Sequence, residues 1–258
     1  MALTSACSTS GRPHAAATTT APAPAVAPST APSTTSSTPS TTGAPASTTT
    51  THPTAAPSTT PSSTTPTITS AAFTGTVSTV TAADLPTSYR AGCPVGPDQL
   101  RLLHLSYWGF DSQPHVGTMV VNAAVTAAVI EVFSLLYQQR FPIHQMQPVD
   151  AYGGSDPASM AADNTSGFNC RYAVAPGTPQ WSVHAFGEAI DVNTVENPYI
   201  EGGTVMPAAG ASYTNRSLVR PGMAVPGGQL VAAFASVGWQ WGGRWSAPDY
   251  QHFSANGG

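Results

Sequence analysis

Apolar residues along this chain follow short periods separated by Pro/Gly-rich breaks, and they begin only near Phe73. Gly117 to Val121 is short, apolar and β-branched and predicts a strand. Ala123 to Gln139 places Val125, Val129, Val132, Phe133 and Leu136 at helical spacing, with Pro142 to stop the helix soon after Arg140. Phe141 to Val149 and Phe168 to Tyr172 suggest further strands. Glu188 to Asn193 alternates, Ala189 and Asp191 facing one way and Ile190 and Val192 the other, as in a half-buried strand. Asn197 to Gly228 is rich in Pro and Gly and predicts a long loop. Gln229 to Val237 is a short helix closed by Gly238, and Trp239 to Trp241 and Tyr250 to Phe253 are closing strands. Strands interleaved with a few helices predict an α+β fold with a mainly antiparallel sheet.

Composition divides the 258 residues in two. From Met1 to Ala83 the only charged side chain is Arg12, and Ala15 to Ser70 is almost entirely Ser, Thr, Pro and Ala. Such a segment buries too little apolar surface to offset about 1–2 kcal/mol of backbone entropy per ordered residue. Residues 1–72 are therefore expected to be a disordered stalk, either an unmodified linker or an O-glycosylated one, and residues 73–258 a single domain. Met1 to Cys7 is too short for a signal peptide, yet Leu3-Thr4-Ser5-Ala6-Cys7 resembles the end of a bacterial lipoprotein signal. Cys7 is thus either a lipidation site or incidental, and the stalk favours an exported, cell-envelope protein. In an exported chain Cys93 and Cys170 are expected to form one disulfide, two buried thiols being the alternative.

Charge narrows the chemistry further. No basic stripe suggests nucleic acid as a partner, and no apolar run reaches the roughly 18–20 residues that span a bilayer. All eight basic residues are Arg, so Schiff-base, P-loop and Ser–Lys chemistry are excluded. The informative stretch is Ser182-Val183-His184-Ala185-Phe186-Gly187-Glu188-Ala189-Ile190-Asp191, followed much later by Asp249-Tyr250-Gln251-His252. Two imidazoles and a carboxylate make a metal site if they converge; scattered polar residues are the alternative. The His184-to-Asp191 spacing does not fit one helix face but fits a turn at Gly187 feeding a strand. His252 would then come from a neighbouring strand, with Asp249 beside the metal as general base. Ser182 lacks the Gly-x-Ser-x-Gly setting of a nucleophile. His14, His52, His104, His115 and His144 have no partner at useful spacing.

Ser182-x-His184-x-x-Gly187-x-Ala189-x-Asp191, with Trp239-x-Trp241-Gly242-Gly243-x-Trp245 leading to Asp249-x-x-His252, resembles the VanY-type zinc D-alanyl-D-alanine carboxypeptidases of the hedgehog/DD-peptidase-like fold. Val121-Asn122, Phe141-Pro142-Ile143 and Asn164 to Arg171 fall in the same order, so the resemblance spans most of Cys93 to Phe253. It implies one zinc ion held by His184, Asp191 and His252, Asp249 as catalytic acid/base, and Arg171 beside the substrate carbonyl. A structural ion pair is the alternative for Arg171. Ser182 would support the loop or touch substrate. Most of Trp181, Trp239, Trp241 and Trp245 are expected in the core, with Trp241 assigned to substrate. The implied partner is a peptidoglycan stem peptide; a monomer is expected, though the sequence itself leaves the oligomeric state open. An L-Ala-D-Glu endopeptidase and a non-catalytic zinc-containing wall-binding domain are the alternatives. A carboxypeptidase also needs a cation for the terminal carboxylate, for which Arg216, Arg220 and Arg244 are the candidates.

Overall fold

Leu103, Leu105 and Tyr107 recur every second residue, which puts all three on one face of a strand and into the core. That strand, β2 (Leu100–Trp108), lies between β1 (Gly75–Thr79) and β3 (Pro114–Asn122) in an antiparallel sheet, with Leu103 opposite Met119 and Leu105 opposite Gly117. The computed structural model describes residues 72–174 and 178–257. The expected stalk and Cys7 lie outside the described residues. Among those described, no helix is long and apolar enough to cross a membrane.

The chain leaves β3 through Asn122, whose side-chain oxygen accepts the Ala124 N–H (3.0 Å) and caps a 3-10 turn over Ala123–Val125. That turn runs into α1 (Thr126–Gln138). The helix buries Val129, Val132, Phe133 and Leu136 against Leu103, Leu105, Met119 and Val121 of the sheet. At roughly 1.5–3 kcal/mol per fully buried large apolar side chain, this face is the main reason the helix forms.

After α1 the expected strand over Phe141–Val149 shrinks to β4 (Gln145–Met146), because Pro142 and Pro148 remove donors from the ladder. A short helix, α2 (Asp156–Ala161), follows, capped by Ser155. Then β5 (Asn164–Thr165) pairs with β4 in parallel. No strand forms over Phe168–Tyr172. Its N–H groups go instead to three separate places: Phe168 to Val120 O, Asn169 to His184 O and Cys170 to Ser88 O.

The second sheet has the order β6-β10-β9, from β6 (Ala189–Asp191), β9 (Gln240–Trp241) and β10 (His252–Ser254), all antiparallel. β6 is buried on both faces rather than one, since Ile190 and Val192 enter the core while Asp191 turns to a buried polar pocket. The expected loop over Asn197–Gly228 contains a hairpin, β7 (Tyr199–Glu201) and β8 (Thr204–Met206), turned by Gly202 and Gly203 at positive φ (56° and 84°). The rest of it is pinned by buried amides: Asn193 donates to Pro142 O (2.8 Å) and Gly222 O, and Asn197 to Val192 O and Gly222 O. α3 (Gln229–Ser236) ends before Gly238 (φ 83°) and stacks Phe234 on Phe253 of β10.

Cys93 and Cys170 form a disulfide that closes a 77-residue span. One buried carboxyl is out of place electrostatically. Glu196 is buried, and burial, with repulsion from Asp163 added, pushes its pKa from about 4.5 up to about 7. The folded chain thus keeps a proton that the unfolded chain releases above about pH 4.5. Stability should fall as pH rises from 4.5 to 7, and Glu196→Gln should flatten that slope and raise the melting temperature at pH 8. Thermal denaturation of both proteins across this range checks it.

Candidate metal and catalytic site

Cross-strand register brings the first two ligands together. His252 and Asp191 are direct partners across β10 and β6, so both side chains leave the sheet on one face. The third comes from a 3-10 turn over Val183–Phe186, capped by the Ser182 hydroxyl, which accepts the His184 N–H (3.3 Å). Gly187 ends that turn at φ 70°, and its position is tightly enclosed: a Cβ there would lie 2.6 Å from the Asn122 nitrogen. Asn122 also clamps the turn, donating its backbone N–H to Gly187 O (2.8 Å) and its side-chain amide to Phe186 O (3.0 Å). Gly187→Ala should therefore cost roughly 2–4 kcal/mol and displace His184. Lower melting temperature together with weaker metal binding is the expected result, checked by calorimetry of the purified variant.

His184 Nε2, His252 Nδ1 and the Asp191 carboxylate meet at 3.2 Å (His to His), 3.2 Å (His184 to Asp191) and 3.3 Å (His252 to Asp191). Metal–ligand bonds of about 2.0–2.1 Å in a tetrahedron give ligand–ligand edges of about 3.3–3.4 Å, so the spacing fits one divalent ion. The tautomer fits as well. His184 Nδ1 lies 2.7 Å from Gly167 O, a group that only accepts, so this nitrogen carries hydrogen. In the neutral ring Nε2 is then a lone pair facing a carboxylate, and a proton or a cation must sit between them. His252 Nε2 is buried without a hydrogen-bond partner in the protein, and Asp191 Oδ1 has the His252 Nδ1 contact at 3.3 Å. Among the described residues these three are the one group of at least three His, Cys, Asp or Glu side chains placed to hold a metal ion.

Electrostatics point the same way. Burial raises Asp191, but the charge and hydrogen bonds of His184, followed by those of His252, outweigh it and hold the carboxyl far below its usual range. Burial lowers His184, but Asp191 outweighs that and raises it. Asp249 sits three residues before His252, its N–H donating to Gly242 O (3.1 Å), and its Oδ1 is buried with no partner. Burial first, and the Asp191 charge second, push Asp249 up to about 7. A carboxyl poised near neutrality beside a metal triad can exchange a proton with water or an amine.

Two of the ligands, His184 and His252, line a cleft of about 390 Å³ together with Asp249, Ser182, Arg171 and Asp156. Trp181, Trp245, Tyr199 and Met206 wall it. Trp181 stacks on Tyr172 (4.3 Å between centroids), and Trp245 lies 5.2 Å from the His252 ring. Trp241, assigned to substrate from the sequence, is instead a core residue. It pairs with Phe253 across β9 and β10 and so shares the face opposite to His252, and its Nε1–H donates to Tyr250 O (2.9 Å).

The three arginines expected to hold a terminal carboxylate are elsewhere. Arg216 spends its guanidinium on Glu196 O, Tyr213 O, Ala224 O and Asn197 Oδ1. Arg220 lies 3.4 Å over the Tyr213 ring and borders a separate cavity. Arg244 is exposed and does not line the cleft. Arg171 is the one Arg side chain among the described residues lining it, and its Nε lies 2.9 Å from Asp156 Oδ1. Asp156, Tyr199 and Met206 escape a sequence reading, since only the fold brings them to the cleft, while Trp181 and Trp245, expected mostly in the core, line it. Asp156 alone carried a signal, as the one carboxylate opening a capped helix. His115, for which no partner was expected, pairs on the surface with Asp111 (3.0 Å).

Comparison with curated proteins and with solved structures returns no match. Residues 176–255, which carry all three ligands and Asp249, match the family model described as D-alanyl-D-alanine carboxypeptidase, so this C-terminal region presents a zinc-peptidase-like active site in a domain that matches that family.

Proposed function

We propose that the chain is an exported zinc-dependent D-alanyl-D-alanine carboxypeptidase acting on peptidoglycan stem peptides. The observation that carries this reading is the convergence of His184, Asp191 and His252 beside Asp249 in an open cleft. Two imidazoles and a carboxylate at tetrahedral spacing suit Zn²⁺, and bound there it would supply a polarised water and a Lewis acid for the scissile carbonyl. The protein's own groups do the rest. Asp249 takes the proton of the attacking water and returns it to the leaving amine. Arg171 donates to the oxygen that gains charge as the carbonyl becomes tetrahedral. Ser182 holds the His184 turn and borders the cleft where substrate lies. No serine is acylated, so β-lactams should not trap the enzyme.

Asp249 argues against a pure binding module, which has no use for a proton acceptor beside the metal. The endopeptidase reading has one observation in its favour. With Arg216, Arg220 and Arg244 outside the cleft, Arg171 must serve either the oxyanion or a terminal carboxylate.

Mass spectrometry of a defined muropeptide pentapeptide, with and without chelator, tests the proposal. Loss of one terminal alanine, blocked by chelator, is the expected result. A chelator-sensitive cut inside the stem would assign the endopeptidase. An intact peptide, with zinc bound, would assign the binding domain.

A further inference from the structure

We infer that Asp156 is the positioning residue for Arg171, fixing its guanidinium at the mouth of the metal cleft. The inference rests on the peptidase reading for its catalytic consequence, though not for the geometry.

The backbone of Arg171 is anchored on all sides. Cys170 is tied to Cys93 by the disulfide, its N–H donates to Ser88 O (2.9 Å), and its carbonyl accepts from Arg90 Nη1 (2.7 Å). Asn169 N–H donates to His184 O (3.1 Å), and Ser182 N–H to Arg171 O (3.1 Å), so the segment is stitched directly to the turn that carries a metal ligand. A fixed backbone does not fix a guanidinium, which sits at the end of a long flexible stem with about 2 kcal/mol of rotamer entropy.

Asp156 supplies what the backbone does not. Its Oδ1 lies 2.9 Å from Arg171 Nε, an ion pair without the alignment of a hydrogen bond, and with side-chain exposures of 18% for Asp156 and 23% for Arg171 the pair is shielded from much of the screening that weakens surface ion pairs. The remaining contact of the guanidinium is a long hydrogen bond from Nη1 to Tyr172 O at 3.4 Å. With Nε on Asp156 and Nη1 on Tyr172 O, Nη2 is left for an oxygen of the substrate. Asp156 is itself held, because Ser155 caps the helix it opens and Ser159 N–H bonds back to Ser155 O (3.0 Å). Both members of the pair line the cleft with His184, His252 and Asp249.

The test uses the full chain labelled with ¹⁵N-arginine. The Nε–H signal of Arg171 is identified by its absence in Arg171→Lys, and its relaxation is compared between the native protein and Asp156→Asn. A rigid signal that becomes mobile in Asp156→Asn supports the positioning role; an unchanged signal overturns it. On stem peptide, Asp156→Asn should lower kcat about 10–100-fold with KM nearly constant and zinc content intact, while Asp156→Glu recovers part of the loss. In an Arg171→Ala background, Asp156→Asn should change kcat less than about 2-fold, because the group it positions is gone. Unchanged kcat in the single variant, or losses that multiply in the double variant, would overturn the catalytic consequence. If the native chain cuts no stem peptide, the peptidase reading fails by itself, and the relaxation comparison still decides whether Asp156 holds Arg171. Should Asp156→Asn not fold, the same comparisons are made with Asp156→Ser, which also removes the carboxylate and for which an Nε–H signal as rigid as native and unreduced kcat would overturn the inference.

Discussion

Replacing Asp191 with alanine should abolish metal binding, and hydrolysis with it. The substitution removes one corner of a three-ligand set and the charge that organises the other two. In the native chain Asp191 lies 3.2 Å from His184 and 3.3 Å from His252 and is buried. Outer hydrogen-bond partners of metal ligands are worth about 10–100-fold in affinity, and a direct ligand more than that. The metal also stabilises the fold by mass action, about 4 kcal/mol at a concentration 1,000 times Kd, so a zinc-dependent rise in melting temperature should disappear in Asp191→Ala. Metal analysis after dialysis and thermal denaturation with and without zinc read both effects. A variant that still retains stoichiometric zinc would remove Asp191 from the ligand set.

The second large effect separates chemistry from binding. Asp249→Ala should keep zinc at native affinity while kcat falls by about 10²–10⁴, the usual contribution of a positioned acid/base. Asp249 makes its ordered backbone contact through its N–H to Gly242 O, which alanine retains, and its Oδ1 has no protein partner to orphan. The fold therefore has little reason to respond. Steady-state kinetics on a stem peptide beside metal analysis reads the outcome, and activity within a few-fold of native would take the base role from Asp249.

How far these features could be read without coordinates depends on where the relevant partner atoms reside. Asp191 was legible because it is a polar residue set into apolar surroundings. It falls between Ile190 and Val192, so alternation put it on the face away from the core, whereas His252 and the ligand set as a whole followed from the resemblance carried by Asp249-x-x-His252. The turn at Gly187 was legible for the same reason that it is fragile, since a residue at φ 70° beside another backbone has to be glycine. The α1 and α3 helices followed from their apolar spacing.

What escaped depends on backbone atoms or on pairing. Phe168–Tyr172 has the composition of a strand, but its N–H groups bond to β3, to the His184 turn and to Ser88, and no side-chain pattern records a carbonyl. Arg216 offered the charge a terminal carboxylate needs, yet three loop carbonyls and the Asn197 amide oxygen occupy it. Trp241 could have been placed correctly. Trp239 and Trp241 are two apart and share a face, and the partner of Trp241 across the ladder is Phe253, a core residue. β2 was also available in the sequence, through Leu103, Leu105 and Tyr107, and β7–β8 through the paired glycines between them.

The account rests on one divalent ion shared by two imidazoles and one carboxylate, with a coordination position left for water. Zinc X-ray absorption on the full-length protein loaded with one equivalent of Zn²⁺ tests this most directly. It should report about four light N/O neighbours near 2.0–2.1 Å, with the multiple-scattering signature of two imidazoles, and the imidazole signal should halve in His252→Ala. Zinc that binds with sulfur neighbours, or with an imidazole signal unaffected by His252→Ala, would contradict the account.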